Sequence, residues 1–188
     1  MAAPPAPTLE GPRVRLRAPR ESDLPILHRW YEDPELSAPF DRFATESLGE
    51  FAQAVRASPE DPGSLAPRFV IERKADGAPI GCVGHYRSHP VLTVLEVWYF
   101  VADPSTRGTG LGSEAVGLLV DHLFRTTAVE RVGATCDVEN APSYRLLERL
   151  GFRREGVLSS VLFHHARWHD AAVYGVTRSS WRARPTPA

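Results

Sequence analysis

Hydrophobic and polar residues follow two different periods along this chain, which predicts a mixed α/β fold. Apolar and polar residues alternate over residues 13–17, and apolar, β-branched and aromatic residues dominate three later runs. Those runs are residues 68–73, 80–86 and 92–101. Turn residues separate them, at Asp76-Gly77 and around His89-Pro90, so we expect an antiparallel meander.

Helical patterns lie on both sides of this meander. One helix is predicted from Ser22, as its N-cap, to about residue 31, and a second over residues 46–57. A third follows Gly110, where apolar residues recur at intervals of three and four. A strand over residues 129–136 then returns parallel to the strand that precedes this helix. The remaining predicted elements are a helix from Pro142 to Gly151 and strands over residues 152–163 and 171–177.

Length and composition fit one domain. The chain has 188 residues, 43% of them hydrophobic, which is enough for one sizeable core. We expect a single domain over residues 13–182, with disordered tails over residues 1–12 and 183–188. No apolar run has the length of a membrane span and no signal-peptide pattern is present, so a cytoplasmic location is expected. The two cysteines, Cys82 and Cys136, are expected to be buried thiols.

The charge balance of the chain restricts the classes of molecule that it can bind. A formal net charge of −1 argues against general binding to nucleic acid or to an anionic membrane, because both need an excess of basic residues. We therefore expect neither nucleic acid nor a membrane as a partner.

A glycine-rich turn between a strand and a helix is the strongest candidate for a binding site. Residues 107–112 read Arg-Gly-Thr-Gly-Leu-Gly and lead directly into the third predicted helix. Glycines let backbone N–H groups converge, and the start of a helix adds unpaired N–H groups and the positive end of its dipole. The turn is therefore predicted to bind an anion such as a pyrophosphate.

Three known phosphate-binding patterns compete for this turn. A nucleoside-triphosphate loop requires Lys and then Ser or Thr after its last glycine, but Ser113 and Glu114 follow Gly112. The dinucleotide pattern G-x-G-x-x-A is matched by residues 110–115, with Asp137 at a suitable distance, and spacing alone does not dismiss it. That fold, however, needs a series of βαβ units, and the rest of the chain holds one crossover at most.

The third pattern is Arg-x-x-Gly-x-Gly, formed by Arg107, Gly110 and Gly112. Here the chain resembles the GNAT superfamily of coenzyme-A-dependent N-acetyltransferases, and a second segment supports the resemblance. Asn140 and Ser143 match the superfamily's N-x-x-S/A, and Leu-Gly-Phe follows at residues 150–152. Three further segments resemble the branch that acetylates ribosomal-protein N-termini: Glu-Val-Trp-Tyr at residues 96–99, Ser-Glu-Ala at residues 113–115 and Trp-His-Asp at residues 168–170. The similarity covers roughly residues 10 to 182.

The resemblance implies a mixed, mainly antiparallel central sheet flanked by helices, with acetyl-CoA in a cleft where two strands splay apart. In this family the pantetheine arm pairs with the strand before the turn, here through Tyr99, Phe100 and Val101. Asn140 and Ser143 belong to the second cofactor segment. The residues implied to hold the pyrophosphate are Arg107, Gly108, Thr109, Gly110, Leu111 and Gly112.

Two residues are candidates for proton transfer. Glu96 is a carboxylate in an otherwise apolar strand and could accept a proton from the incoming amine, although a purely structural role is equally open. Many superfamily members carry a tyrosine seven residues after the asparagine, but this chain has Leu147 there. The resembled branch uses a serine three residues after the asparagine, which makes Ser143 the candidate acid. A first-turn helical serine, and helix capping by Asn140, would also explain these residues.

The acceptor and the metal content are predicted less directly. The resemblance implies a small-molecule amine or a protein N-terminus as acceptor, allows a homodimer, and leaves open transfer of a larger or carrier-bound acyl group. A non-catalytic acyl-CoA sensor is a further alternative. No metal is expected, because the histidines lack helical ligand spacing and accompanying cysteines, although His164 or His165 could contact substrate. Tyr31 is a weak candidate for the acceptor pocket.

Overall fold

The described strands join in one eight-stranded sheet. The computed structural model describes residues 7–37, 47–56, 69–89 and 91–183. The sheet order is β1-β2-β3-β4-β5-β6-β8-β7, and within these residues only β5 and β6 pair in parallel. The strands are β1 (Leu9–Glu10), β2 (Val14–Arg17), β3 (Phe69–Arg73), β4 (Pro79–Arg87), β5 (Val94–Val101), β6 (Arg131–Asp137), β7 (Arg153–His164) and β8 (Arg167–Thr177).

Helices cover both faces of the sheet. They are α1 (Leu24–Glu32), α2 (Pro34–Ser37), α3 (Leu48–Arg56), α4 (Leu111–Thr126), α5 (Ala141–Arg149) and α6 (Arg178–Arg182). The largest buried cluster packs α4 against one face, and a smaller cluster packs α1 and α3 against the other. Successive residues of a strand point to opposite faces, so Phe69 and Ile71 enter the first cluster while Val70 enters the second. We call these the α4/α5 face and the α1/α3 face.

This architecture confirms the expected fold class and removes the dinucleotide alternative. One parallel pair, β5 and β6, with α4 as its crossover, cannot form the repeated βαβ units of a dinucleotide-binding fold. The antiparallel meander of β3, β4 and β5 is also as expected. No described helix is both long enough and apolar enough to cross a membrane.

Several predicted boundaries differ from the structure. The disordered tail predicted for residues 1–12 is wrong for Leu9–Glu10, which pair with β2 while the Leu9 side chain is buried. Ser22 does not cap α1; it lies inside a short 3-10 helix, Glu21–Asp23, and the Asp23 carboxylate accepts the Arg20 N–H at 2.7 Å. The end of the predicted C-terminal tail, residues 184–188, lies outside the described residues.

Candidate active site

The parallel strands β5 and β6 separate halfway along their length. They pair at Val94–Arg131, Leu95–Val132 and Glu96–Gly133. Beyond Glu96, β5 stays paired with β4 on one side while β6 stays paired with β8 on the other. The sheet therefore opens into a V-shaped gap that starts at Glu96, the splayed-strand cleft that the resemblance implied.

Backbone groups of β5 point into this gap. The N–H of Ala102 donates to the carbonyl of Ile80 at 2.8 Å, which places this end of β5 in the antiparallel ladder with β4. Because N–H groups alternate sides along a strand, those of Tyr99 and Val101 face the gap. The N–H of Phe100 faces β4, so only two of the three predicted backbone contacts are available to a ligand in the gap.

Glu96 lies where the strands part. Its Oε2 atom accepts hydrogen bonds from the Tyr86 hydroxyl at 3.1 Å and from the Thr135 hydroxyl at 3.3 Å. Tyr86 comes from β4 and Thr135 from β6, so the carboxylate bridges the two sides of the opening. Burial, reinforced by the negative charge of Glu96, raises the pKa of Tyr86, so this phenol stays protonated and acts as a donor.

A second polar pair lies on the opposite face of the sheet. The hydroxyl groups of Tyr99 and Ser143 are 2.8 Å apart, the first on β5 and the second in the first turn of α5. Burial raises the pKa of Tyr99 above its usual range, so its hydroxyl is neutral at physiological pH. Burial also raises the pKa of the Cys136 thiol, an effect that a hydrogen bond with Ser143 partly offsets.

The glycine turn takes the form expected of an anion site. Gly108 and Gly110 have φ angles of +79° and +89°, which other residues adopt only with strain. Gly110 is the N-cap of α4, and the Glu114 N–H donates to its carbonyl at 3.0 Å. As in any α-helix, the N–H groups of the first turn have no partner within the helix, so they can bind an anion.

Arg13 is a component of this turn that the sequence analysis missed. Its Nη1 donates to the Thr109 carbonyl at 3.0 Å, and its Nε donates to the Glu114 carboxylate at 2.9 Å. The same carboxylate accepts the backbone N–H of Arg13 at 2.7 Å, which ties the start of β2 to α4. The Arg13 side chain remains 54% exposed, so it can add positive charge beside the turn.

The second predicted cofactor segment begins with a helix cap. The side-chain carbonyl of Asn140 accepts the Ser143 N–H at 3.1 Å, so the capping role that the sequence left open is present. Leu147, in place of the superfamily's tyrosine, is completely buried and belongs to the core. On the other face, Tyr31 packs its ring against those of Phe51 and Phe100, in the smaller cluster.

Two histidines lie together, contrary to the reasoning from helical spacing. His164 at the end of β7 and His169 on β8 both approach the Asp137 carboxylate at the end of β6. Their ligand atoms lie within 4.8 Å of one another. Spacing along the sequence could not find this cluster, because three different strands contribute to it.

Comparisons with known proteins agree with this geometry. The sequence model of a family described as "Acetyltransferase (GNAT) domain" matches residues 13–153. The chain is 25% identical over 175 residues to the uncharacterized N-acetyltransferase YoaA of Bacillus subtilis, covering 92% of this chain and 97% of that protein. It is 30% identical over 95 residues to the ribosomal-protein-serine acetyltransferase of Escherichia coli, covering 50% of this chain and 52% of that protein.

A solved structure gives the same result. RimJ of Mycobacterium smegmatis, in complex with CoA-disulfide, aligns with a TM-score of 0.72 at 26% identity, covering 93% of this chain and 88% of that one. The family match spans both the splayed strands and the glycine turn. The chain therefore belongs to the GNAT family and is an N-acetyltransferase.

Proposed function

We propose that this enzyme transfers the acetyl group of acetyl-CoA directly to a primary amine while both substrates are bound. The observation that carries the proposal is the gap between β5 and β6, which has different chemistry on its two faces. The Glu96 carboxylate lies towards the α1/α3 face, whereas the Tyr99–Ser143 pair lies towards the α4/α5 face. An amine and a thioester entering from opposite faces would meet in the gap.

Acetyl-CoA binds on the α4/α5 face in this proposal. Its pyrophosphate occupies the turn from Arg107 to Gly112, where first-turn N–H groups and the Arg13 guanidinium supply positive potential. The pantetheine arm lies along the gap and pairs with the N–H groups of Tyr99 and Val101. The CoA-disulfide held by the RimJ relative supports this choice of co-substrate.

The chemistry requires two proton transfers. Glu96 accepts a proton from the ammonium form of the acceptor, so that the amine nitrogen can attack the thioester carbonyl. Negative charge develops on the carbonyl oxygen, and backbone N–H groups in the gap stabilise it. When the carbon–sulfur bond breaks, the Ser143 hydroxyl gives its proton to the thiolate and recovers one from solvent, while the Tyr99 hydroxyl orients it.

The acceptor that we favour is the N-terminal amine of a protein. The support is the similarity to a ribosomal-protein-serine acetyltransferase, together with the resemblance at residues 96–99 and 168–170. Aromatic rings of Trp30, Tyr31 and Phe100 lie on the face from which the amine enters, and they can pack against a peptide or an amine-bearing small molecule.

A thiol-release assay with acetyl-CoA tests this proposal. The amine panel contains N-terminal peptides, polyamines, aminoglycosides and amino acids, and calorimetry measures acetyl-CoA binding in parallel. Thiol release with N-terminal peptides alone supports a protein N-terminus as the acceptor. Thiol release with another amine class assigns that class as the acceptor instead. Tight binding without release on any amine favours a carrier-bound donor or a sensor, whereas no binding overturns the cofactor assignment.

A further inference from the structure

The cluster at the ends of β6, β7 and β8 lies outside the chemistry proposed for acetyl transfer. The Asp137 side chain is 5% exposed, that of His169 is 3% exposed and that of His164 is 11% exposed. The imidazole rings stack with their centroids 3.7 Å apart. Two stacked imidazoles beside one buried carboxylate form an unusual group of polar atoms, and such atoms normally have hydrogen-bond partners.

The hydrogen bonds within the cluster are incomplete. Asp137 Oδ1 accepts the backbone N–H of Glu139 at 2.6 Å, which orients the carboxylate and leaves Oδ2 for the histidines. His164 Nε2 is 2.6 Å from Oδ2, and His169 Nδ1 is 3.0 Å from the same atom. Neither ring nitrogen of His169 makes a geometrically acceptable hydrogen bond to any described residue, although both are buried. Leaving such atoms unsatisfied is unfavourable, because they lose their hydrogen bonds to water on burial and gain none in return.

The spacing of these atoms suits a metal ion. In a tetrahedral site with nitrogen and oxygen ligands, neighbouring ligand atoms are about 3.3 Å apart. Three of the separations between these atoms, one of them to the Glu139 carboxylate, bracket that value. They are 2.6 Å (His164 Nε2 to Asp137 Oδ2), 3.0 Å (His169 Nδ1 to Asp137 Oδ2) and 3.7 Å (His169 Nδ1 to Glu139 Oε2).

We propose that His164, His169 and Asp137 bind a divalent first-row transition metal ion, with Glu139 as a fourth ligand. Two imidazoles and carboxylate oxygens favour zinc, cobalt, nickel or iron over calcium or magnesium, which prefer oxygen ligands alone. The two rings, now stacked at an interplanar angle of 20°, turn until one lone pair of each points at the cation, and the carboxylates neutralise its charge. To bind the metal, Glu139 gives up its ion pair with Arg167, in which Oε2 and Nη2 are 2.6 Å apart.

The hairpin holds His164 in place for this role. The β7–β8 turn consists of His165 and Ala166, whose φ angles are +50° and +58°, and it pairs His164 with Arg167. Two left-handed residues in a two-residue turn define a tight hairpin, here built without glycine. The position of His164 is therefore set by the backbone rather than by a mobile loop.

The location connects this site with the proposed amine side. Side chains two residues apart on a strand share a face, so Asp137 lies on the same face of β6 as Thr135, which contacts Glu96. The carbonyl of Asp137 also accepts the Asn140 N–H at 3.0 Å. A metal at Asp137 would therefore tie the hairpin to the turn that starts α5. Metal binding needs neither acetyl-CoA nor an amine, so its test is independent of the proposed function.

Metal binding is measured on tag-free, chelator-treated protein with Zn²⁺ by calorimetry and with Co²⁺ by visible absorption. The expected result is one ion per chain and Co²⁺ bands typical of a low-symmetry nitrogen and oxygen site without thiolate. Saturating Zn²⁺ should also raise Tm by about 5 °C, because the ion binds the folded chain preferentially. Absence of stoichiometric binding overturns the proposal.

Matched asparagine variants locate the ion. His164→Asn should weaken Zn²⁺ binding at least tenfold, whereas His165→Asn, at the next position and exposed, should leave it unchanged. Equal affinity in the two variants overturns the proposal. If His164→Asn does not fold, NMR of the wild-type protein with Co²⁺ locates the ion instead, through the paramagnetic shifts of the histidine signals. Shifts centred on His164 and His169 support the site, and shifts centred on other histidines overturn it.

Discussion

The hydroxyl groups of Tyr99 and Ser143 lie 2.8 Å apart, although one residue belongs to a strand and the other to a helix. The contact spans the splayed gap, because β5 carries Tyr99 and the segment after β6 carries Ser143. Leu147, at the position where many superfamily members place a tyrosine, is buried and has no proton to donate. A tyrosine hydroxyl thus reaches this side of the gap from β5 instead, and it holds the hydroxyl of Ser143.

Replacement of Ser143 by alanine should lower kcat by about 100-fold, because the departing thiolate loses its proton donor. Thiol release under saturating acetyl-CoA measures the effect. Ser179→Ala, at an exposed position of α6, is the matched control and should retain full activity. Unchanged kcat in Ser143→Ala would remove this residue from the mechanism.

Tyr99→Phe tests the positioning role. The variant keeps the ring in the core and removes the hydroxyl that contacts Ser143, so we expect kcat to fall about tenfold. The KM for acetyl-CoA should change little, because the backbone N–H of residue 99 remains. A rise in KM with unchanged kcat would instead assign the hydroxyl to cofactor binding.

Glu96→Gln should abolish most of the transfer activity while acetyl-CoA still binds. The amide keeps the shape of the side chain but cannot accept a proton from the ammonium, which we expect to cost about 100-fold or more in kcat/KM for the amine. Calorimetry with acetyl-CoA should give the wild-type affinity. Glu35→Gln, at an exposed position of α2, serves as the control. Wild-type turnover in Glu96→Gln would leave Glu96 with a structural role alone.

Gly110→Ala should weaken acetyl-CoA binding and also reduce stability. A Cβ at this φ of +89° would be strained by about 1–2 kcal/mol and would lie 3.2 Å from the Arg13 guanidinium. Gly77→Ala introduces a comparable strain at φ +73° in the β3–β4 turn, with no atom within 4 Å. Both variants should therefore lose stability in urea, but only the first should lose affinity for acetyl-CoA. Equal affinities would place the pyrophosphate elsewhere.

A buried ion network should make the fold sensitive to acid. Arg17 contacts both Glu72 and Asp23, and all three are buried. Burial opposes ionisation of each carboxyl, but the hydrogen bonds and charge of Arg17 outweigh it and lower both pKa values. Because both pKa values are lower in the folded state, the contribution of these carboxylates to folding stability is complete above their unfolded pKa values of 3.8 and 4.5. It is lost as pH falls below those values.

Glu72→Gln should remove part of this acid sensitivity and destabilise the protein by about 3 kcal/mol at neutral pH, because it leaves buried charge incompletely paired. Urea unfolding between pH 7 and pH 3 measures both effects. Glu21→Gln breaks the exposed pair with Arg56 and should change little, since solvent screens it. A similar loss in the two variants would contradict the role assigned to burial.

The sequence predicted most of the fold because the signals were local. Alternation in β2, the apolar runs of β3 to β5, the helical period of α4 and the glycines at 108 and 110 each act within a few residues. The exceptions depend on distant contacts. Leu9 joins the sheet because β2 offers it an unpaired edge, and Arg13 meets Glu114 across 101 positions of sequence.

The residues of the candidate site likewise divide into those with a local signal in the sequence and those that depend on distant contacts. A carboxylate in an apolar strand made Glu96 a candidate, and motif spacing made Ser143 one. Neither signal could show that Tyr86 and Thr135 hold the first or that Tyr99 holds the second. Alternation along β5 could have indicated that Phe100 turns its N–H away from the gap, had the pairing with β4 been known. The cluster at Asp137 required the register of three strands.

Because β5 and β6 part, the two halves of the sheet share no backbone pairing beyond Glu96. Three residue pairs join the two halves of the ladder there, and the edges beyond Glu96 present donors and acceptors to whatever enters. A ligand that pairs with those edges restores continuity across the molecule, so binding energy and folding energy become linked. The concentration of acetyl-CoA would then affect the rates at which the protein unfolds and is proteolysed, as well as its rate of turnover.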